Sequence, residues 1–145
     1  MKHFIYITFC LCSLLVRCQT AGEVSKIGFT TLTRGFQKQV FISKDSVIEI
    51  IDGRQEANKV TKKRIDKSEW DLLTESLKQV DVAEVPSLPA PSSRRAFDGA
   101  RHSTITLTTT DGKEWMHTFD DESPHPKLKA LMEAILRIES DAPQH

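Results

Sequence analysis

The sequence predicts an α+β domain: an antiparallel sheet of five or six strands in the order meander, helix, hairpin, helix, with both helices packed on one face. Short segments in which apolar and polar residues alternate predict the strands. Two apolar stripes at helical spacing predict the helices. The chain has three cysteines among its 145 residues, all of them within the first eighteen, so the core of this domain forms without disulfides.

The first 21 residues are predicted to be a signal peptide. A basic start is followed by thirteen uncharged residues, Phe4 to Val16, which is short of the about 20 needed to cross a bilayer. Cleavage would remove Cys10, Cys12 and Cys18 and leave a single α+β domain over residues 22–145. That domain would lack thiol catalysis and cysteine-ligated zinc.

Cys18 is a candidate lipidation site. Leu15 to Cys18 resemble a lipobox, although Arg17 stands where a small residue is usual, and Ala21 is an alternative cleavage point. We therefore expect an exported protein that is periplasmic, anchored to the outer membrane through Cys18, or secreted. Membrane contact is expected only through that anchor.

Charge excludes nucleic acid as a partner. The chain carries 20 basic and 20 acidic residues, and a near-neutral domain has no basic footprint for phosphate backbones. It also has no glycine-rich phosphate loop, so no cofactor is expected.

The N-terminal meander begins with two strands around an Arg34 and Gly35 turn, a spacing that pairs Ile27 with Ile42. A third strand over residues 47–51 is predicted after a three-residue turn, which brings Ile48 opposite Ile42. Residues 60–65 form a lysine-rich fourth strand, and such charge is typical of a sheet edge.

Each helix has a predicted start and an apolar stripe. Asp66 and Glu69 form a capping box at the first, and Ser123 caps the second with Pro124 at its first position. The stripes are Trp70, Leu73, Leu77 and Val80 in the first helix, and Leu128, Leu131, Met132, Ile135 and Ile138 in the second.

The Asp111 and Gly112 turn allows two hairpin registers. A three-residue loop with a glycine bulge is favoured because it places Ile105, Leu107, Trp115, His117 and Phe119 on one apolar face. A two-residue loop would instead expose the aromatic side chains.

The segment from Val85 to Arg101 is the first candidate site. Its prolines at 86, 89 and 91 predict an extended arm, and its arginines could clamp a carboxylate, a phosphate or an acidic partner. The candidate binding residues are Arg94, Arg95, Phe97, Asp98 and Arg101. An alternative is a protease inhibitor that presents this proline-rich loop.

A second candidate site is a set of possible metal ligands: His102, His117, Asp120 and His125. Imidazole and carboxylate groups suit zinc, copper or manganese. Because their spacing matches no metal motif, a small metal-dependent enzyme that uses these residues is kept only as the alternative function. No catalytic residue is assigned.

Three parts of the chain carry a family resemblance: the signal, residues 29–36, and residues 89–99, which run into His102 and a hairpin. Together they resemble small exported proteins of Bacteroidota-type bacteria, many of which are predicted lipoproteins. The resemblance implies the cell envelope and adds no catalytic residue. We therefore expect a binding or accessory module of the envelope that performs no catalysis, with an envelope protein or an anionic ligand as partner.

Overall fold

A computed structural model describes residues 22–53, 59–96 and 100–140, without the side chains of Arg95 and Ser140. The predicted signal peptide and Cys18 therefore lie outside the described residues. The strands are β1 (Val24–Thr33), β2 (Phe36–Ser43), β3 (Ser46–Gly53), β4 (Lys59–Arg64), β5 (His102–Thr109) and β6 (Glu114–Asp120). The α-helices are α1 (Lys67–Ser76) and α2 (Lys129–Ser140), and short 3₁₀ helices cover Val82–Ser87, Arg94–Ala96 and Pro126–Leu128.

The strands form one six-stranded antiparallel sheet in the order β4-β3-β2-β1-β5-β6. The predicted fold class is confirmed, and β4 is an edge strand as expected. The β1 to β2 register pairs Ile27 with Ile42 as predicted. Gly35 has a φ of 79° in the turn between them, a conformation that glycine adopts without a steric penalty.

The predicted register of β3 is wrong by one residue. The β2 to β3 turn contains two residues, Lys44 and Asp45, so Ile42 faces Val47 and not Ile48. A two-residue turn follows the natural twist of paired strands, and a shift of one residue sends each side chain to the other face. Ile48 and Ile50 consequently lie on the face away from the core.

The favoured register of the second hairpin is confirmed. Ile105 pairs with His117, and Leu107 pairs with Trp115. The amide of Thr109 donates to the carbonyl of Lys113 over 2.9 Å, and Gly112 has a φ of 81°. This three-residue loop places the alternating apolar residues of both strands on the core side.

The first helix starts as predicted, because the Glu69 carboxylate accepts from the amide of Asp66 over 2.7 Å. The predicted start of the second helix is wrong. The chain turns at Asp121, which has a φ of 53°, and a 3₁₀ turn begins after His125, whose Nδ1 accepts from the amide of Lys127. Pro126 therefore takes the position expected for Pro124.

The proline segment is not an extended arm in its first half. Residues Val82–Ser87 form a 3₁₀ helix that includes Pro86. Val85 is fully buried, and Leu88 and Ala90 pack against the core. Burial of these apolar side chains holds this half of the segment to the domain, so it does not project as the extended arm that its prolines predict.

The sheet has two unlike faces. The closed face is covered by the helices and carries the core, with both predicted helix stripes buried. The open face consists of even-numbered residues of β1, β3, β4, β5 and β6, from Lys26 onward, and odd-numbered residues of β2. Along β5 burial alternates at every residue, which shows that this strand is packed on the closed face, and Asp120 at the end of β6 is a buried residue of the open face.

Candidate functional site

The arginines of the predicted binding loop face acidic side chains. The Arg94 guanidinium donates to the Asp121 carboxylate, and Arg101 Nη1 lies 3.6 Å from Glu122 Oε1. Both pairs are partly exposed, so each contributes about 0 to 1 kcal/mol. An anionic ligand here would compete with these carboxylates. Phe97, Asp98 and the Arg95 side chain lie outside the described residues.

Three of the predicted metal ligands, His117, Asp120 and His125, make hydrogen bonds in and beside the connection that precedes α2. His117 is 3% exposed, stacks on Phe119 at 5.5 Å, and accepts from the amide of His125 through Nε2. Asp120 accepts from the Ser92 hydroxyl and from the amide of Arg94. Because backbone amides occupy these ring nitrogens and this carboxylate, the residues stabilise loops.

Metal ligation finds no further support in the described ranges. Within residues 22–53, 59–96 and 100–140, no three histidine, cysteine or acidic side chains are placed to hold one metal ion. His102 lies at the start of β5 on the open face, opposite Asp120 of β6. The structure therefore does not assemble His102, His117, Asp120 and His125 into a ligand set.

A buried charged cluster closes one end of the core. Lys38 Nζ donates to Glu139 Oε2 over 2.8 Å, and Lys63 Nζ donates to the carbonyl of Ile138. Burial raises the pKa of the Glu139 carboxyl, which the hydrogen bond and charge of Lys38 partly oppose. The adjoining cavity has a volume of about 10 Å³, so this cluster has room for little more than one water.

A groove lies between α1 and α2 in the part of the chain described. Two adjoining cavities of about 270 and about 400 Å³ share Leu72 and Arg137. The helix groove, as we call it, is lined by Ser68, Glu69, Leu72, Glu75 and Ser76 of α1, and by Ala130, Glu133, Ala134, Arg137 and Ile138 of α2. It lies on the outer side of the helix layer.

Sequence reasoning missed this groove. Leu72 is 40% exposed and lies outside the buried stripe of α1, so an apolar residue off the stripe was one available signal. Ala130 and Ala134 are small residues one turn apart in α2, which keeps the groove open. The packing of two helices, which the sequence alone does not specify, was needed to bring them opposite Leu72.

Comparison with protein-family models and with curated proteins found no match. None of the described helices is long and apolar enough to cross a membrane.

Proposed function

We propose that this chain is a non-catalytic binding module of the cell envelope whose helix groove holds a short cationic, amphipathic segment of an envelope protein. The observation that carries this proposal is the exposed Leu72 side chain at the junction of two cavities of about 270 and about 400 Å³. Cavities of this volume are in the range that holds ligands. The location in the envelope rests on the signal-like first 21 residues.

The floor of the groove favours an apolar anchor from the guest. Leu72 projects from α1 toward the side of α2 that carries Ala130 and Ala134. Small side chains on one wall and a leucine on the other leave space for a guest side chain of similar size to leucine. Burying such a side chain contributes about 1.5 to 3 kcal/mol, which is enough to position a short segment.

The rim of the groove favours a cationic guest. Glu75 and Glu133 contribute two exposed carboxylates to the lining, against the guanidinium of Arg137, while the Glu69 carboxylate accepts from the amide of Asp66. Glu75 and Glu133 each have a lysine within 4 Å, Lys78 and Lys129, and all four of these side chains are more than half exposed. Exchanging such exposed pairs for contacts with a guest costs little.

The length of the groove limits the guest. The lining of α1 runs from Ser68 to Ser76, about 12 Å at the rise of an α-helix. This spans roughly two helical turns of a guest, with one face apolar and the flanking positions basic.

The test uses a fluorescein-labelled ten-residue peptide with leucines at helical spacing and lysines elsewhere, and a matched peptide with glutamate in place of lysine. We expect anisotropy to show binding of the lysine peptide only. The Glu75→Lys, Glu133→Lys double variant should bind it at least about tenfold more weakly, because two attractive contacts become repulsive. The mass of the N-terminus of the same purified protein reports cleavage or a diacylglyceryl group on Cys18.

The control variant is Asp71→Lys, which reverses an exposed charge of α1 outside the groove lining. It should keep the affinity within about threefold of the original protein, since the Asp71 side chain does not line the groove and exposed charges are screened at moderate salt. Equal binding of both peptides, or equal loss in both variants, would refute the groove as the site. An uncleaved N-terminus would refute export.

A further inference from the structure

We infer that the open face of the sheet is the interface of a symmetric dimer, so that its occupant is a second copy of this chain. The two halves of this face are complementary to each other in size and in charge. The strand register defines this face, and the helix groove lies on the opposite side of the domain.

The open face forms four rows of side chains that cross the sheet from β4 to β6. The first row is Arg64, Ser46, Ser43, Lys26, Thr108 and Glu114. The second is Lys62, Ile48, Phe41, Gly28, Thr106 and Met116. The third is Val60, Ile50, Gln39, Thr30, Thr104 and Thr118, and the fourth includes Asp52, Gln37, Leu32 and His102.

Bulky and small side chains are segregated on this face. Strands β2, β3 and β4 carry the bulky half, with Phe41, Ile48, Ile50 and Val60. Strands β1, β5 and β6 carry the smaller side chains, Gly28 and five threonines, together with Leu32 and Met116 at the margins of the face. Val60 is 62% exposed, and apolar groups at this exposure gain free energy when a partner covers them.

A two-fold axis parallel to the strands, between β1 and β2, brings the two halves together. It maps β2 onto β1, β3 onto β5, and β4 onto β6 of the second copy. Within each row, Ile48 then faces Thr106, and Ile50 faces Thr104 of the second copy. Phe41 faces Gly28 of the second copy, so both Phe41 rings meet beside the axis. Large groups thus oppose small ones around the axis, as close packing requires, and Met116 at the edge faces Lys62 of the second copy.

The same axis pairs polar groups of complementary chemistry. Arg64 lies opposite the carboxylate of Glu114 of the second copy at the end of the first row, and Asp52 lies opposite His102 of the second copy, whose imidazole can donate a hydrogen bond, in the fourth. Each contact occurs twice because the interface is symmetric. Arg64, Glu114 and Asp52 are exposed side chains, so pairing them requires no rearrangement of the core.

The area is sufficient for a stable dimer. The 22 positions named in the four rows, each about 4.8 Å by about 6.7 Å, cover about 700 Å². A standard interface buries about that area on each partner. Two sheets that pack with aligned strands lie about 10 Å apart, the distance that interdigitating Phe41, isoleucine and threonine side chains fill.

Sedimentation equilibrium of the purified protein, from about 1 to 100 µM, tests this inference with a charge swap. We expect a dimer, and we expect Arg64→Glu or Glu114→Arg alone to weaken it at least about tenfold. The double variant should restore dimerisation to within about threefold, since the reversed pair is attractive again. The restored double variant separates lost contact from lost folding.

A charge swap away from the open face is the control, and a bulky charge on that face is the disrupting variant. The swap Lys67→Glu with Asp71→Lys, in an exposed pair of α1, should leave the dimer unchanged singly and together. Thr104→Arg, on the open face, should give a protein that is folded by circular dichroism and monomeric by sedimentation equilibrium.

A monomer at all concentrations, or single variants that dimerise like the original protein, would overturn the inference. So would binding of the monomer to zwitterionic phosphatidylcholine vesicles that Thr104→Arg abolishes, because the open face would then be a lipid-binding surface. Loss of peptide binding in the groove variants would leave the dimer intact, so the two proposals fail separately.

Discussion

The closed and open faces of the sheet use the same strands for different purposes. On β5, Ile105 and Leu107 are 0% exposed, whereas their neighbours Thr104 and Thr106 are partly exposed. The apolar side chains of the closed face are buried in the core of the folded domain. The open face retains exposed Leu32, Val60 and Met116, and these are available for association. We therefore expect stability and binding to respond to substitutions on different faces.

The largest expected difference between the faces lies at adjacent positions of β5. Leu107→Ala should lower the free energy of unfolding by about 2 to 5 kcal/mol, because it leaves a cavity in the packed core. Thr106→Ala should change it by less than about 0.5 kcal/mol. Urea unfolding at a protein concentration below dimerisation measures both. Equal losses would mean that the open face is also packed within the monomer.

A smaller loss of unfolding free energy is expected when the hydrogen bond of His117 is removed. Its Nε2 accepts from the amide of His125 over 3.3 Å, so His117→Phe keeps an aromatic ring beside Phe119 but removes the acceptor. We expect a loss of about 1 to 3 kcal/mol, the cost of an unsatisfied buried amide. Thr118→Val, on the open face of the same strand, is the matched control and should cost less than about 0.5 kcal/mol. Similar losses would contradict a structural role specific to His117.

The smallest effect is a pH dependence from the buried end of the closed face. Because burial raises the pKa of Glu139, its ionisation opposes folding. The stability that it contributes is present at low pH and is lost as pH rises through the raised pKa. Glu139→Gln keeps an acceptor for Lys38 and should remove this decline of the free energy of unfolding with rising pH, measured by urea unfolding at several pH values.

The same measurement can be sharpened with Lys38→Met. This variant removes the cation that lowers the pKa of Glu139, whose other charged neighbours are Glu49 and Glu122. The decline in unfolding free energy should then extend to higher pH. Identical pH profiles for Glu139→Gln and the original protein would contradict an ionisable, buried Glu139.

Local pattern predicted most of the fold. Alternation along β1, β2, β5 and β6 correctly identified the inward side chains, since a strand exposes alternate residues to each face. The stripes of both helices are buried as expected. Where both faces of a strand are apolar, as in β3, alternation carries no information about which side faces the core. The turn length then decides the register.

Contacts between distant residues were not predictable in this way. The charge of Arg94 indicated an anion site, but its neighbour in space is Asp121, 27 residues further along the chain. The histidines near α2 suggested metal ligands, whereas the folded chain uses His117 and His125 as hydrogen-bond acceptors for backbone amides. Residue type indicates which chemistry is available, and the fold determines which partner uses it.

The sequence alone thus established the α+β class, the inward positions of four strands and the apolar faces of two helices, because periodicity and turn chemistry act over a few residues. Only the tertiary structure revealed the helix groove and the four rows of the open face. Both depend on the side-by-side arrangement of elements that are far apart in the chain. Complementarity between Arg64 and Glu114, or between Phe41 and Gly28, exists only after the strands have found their registers.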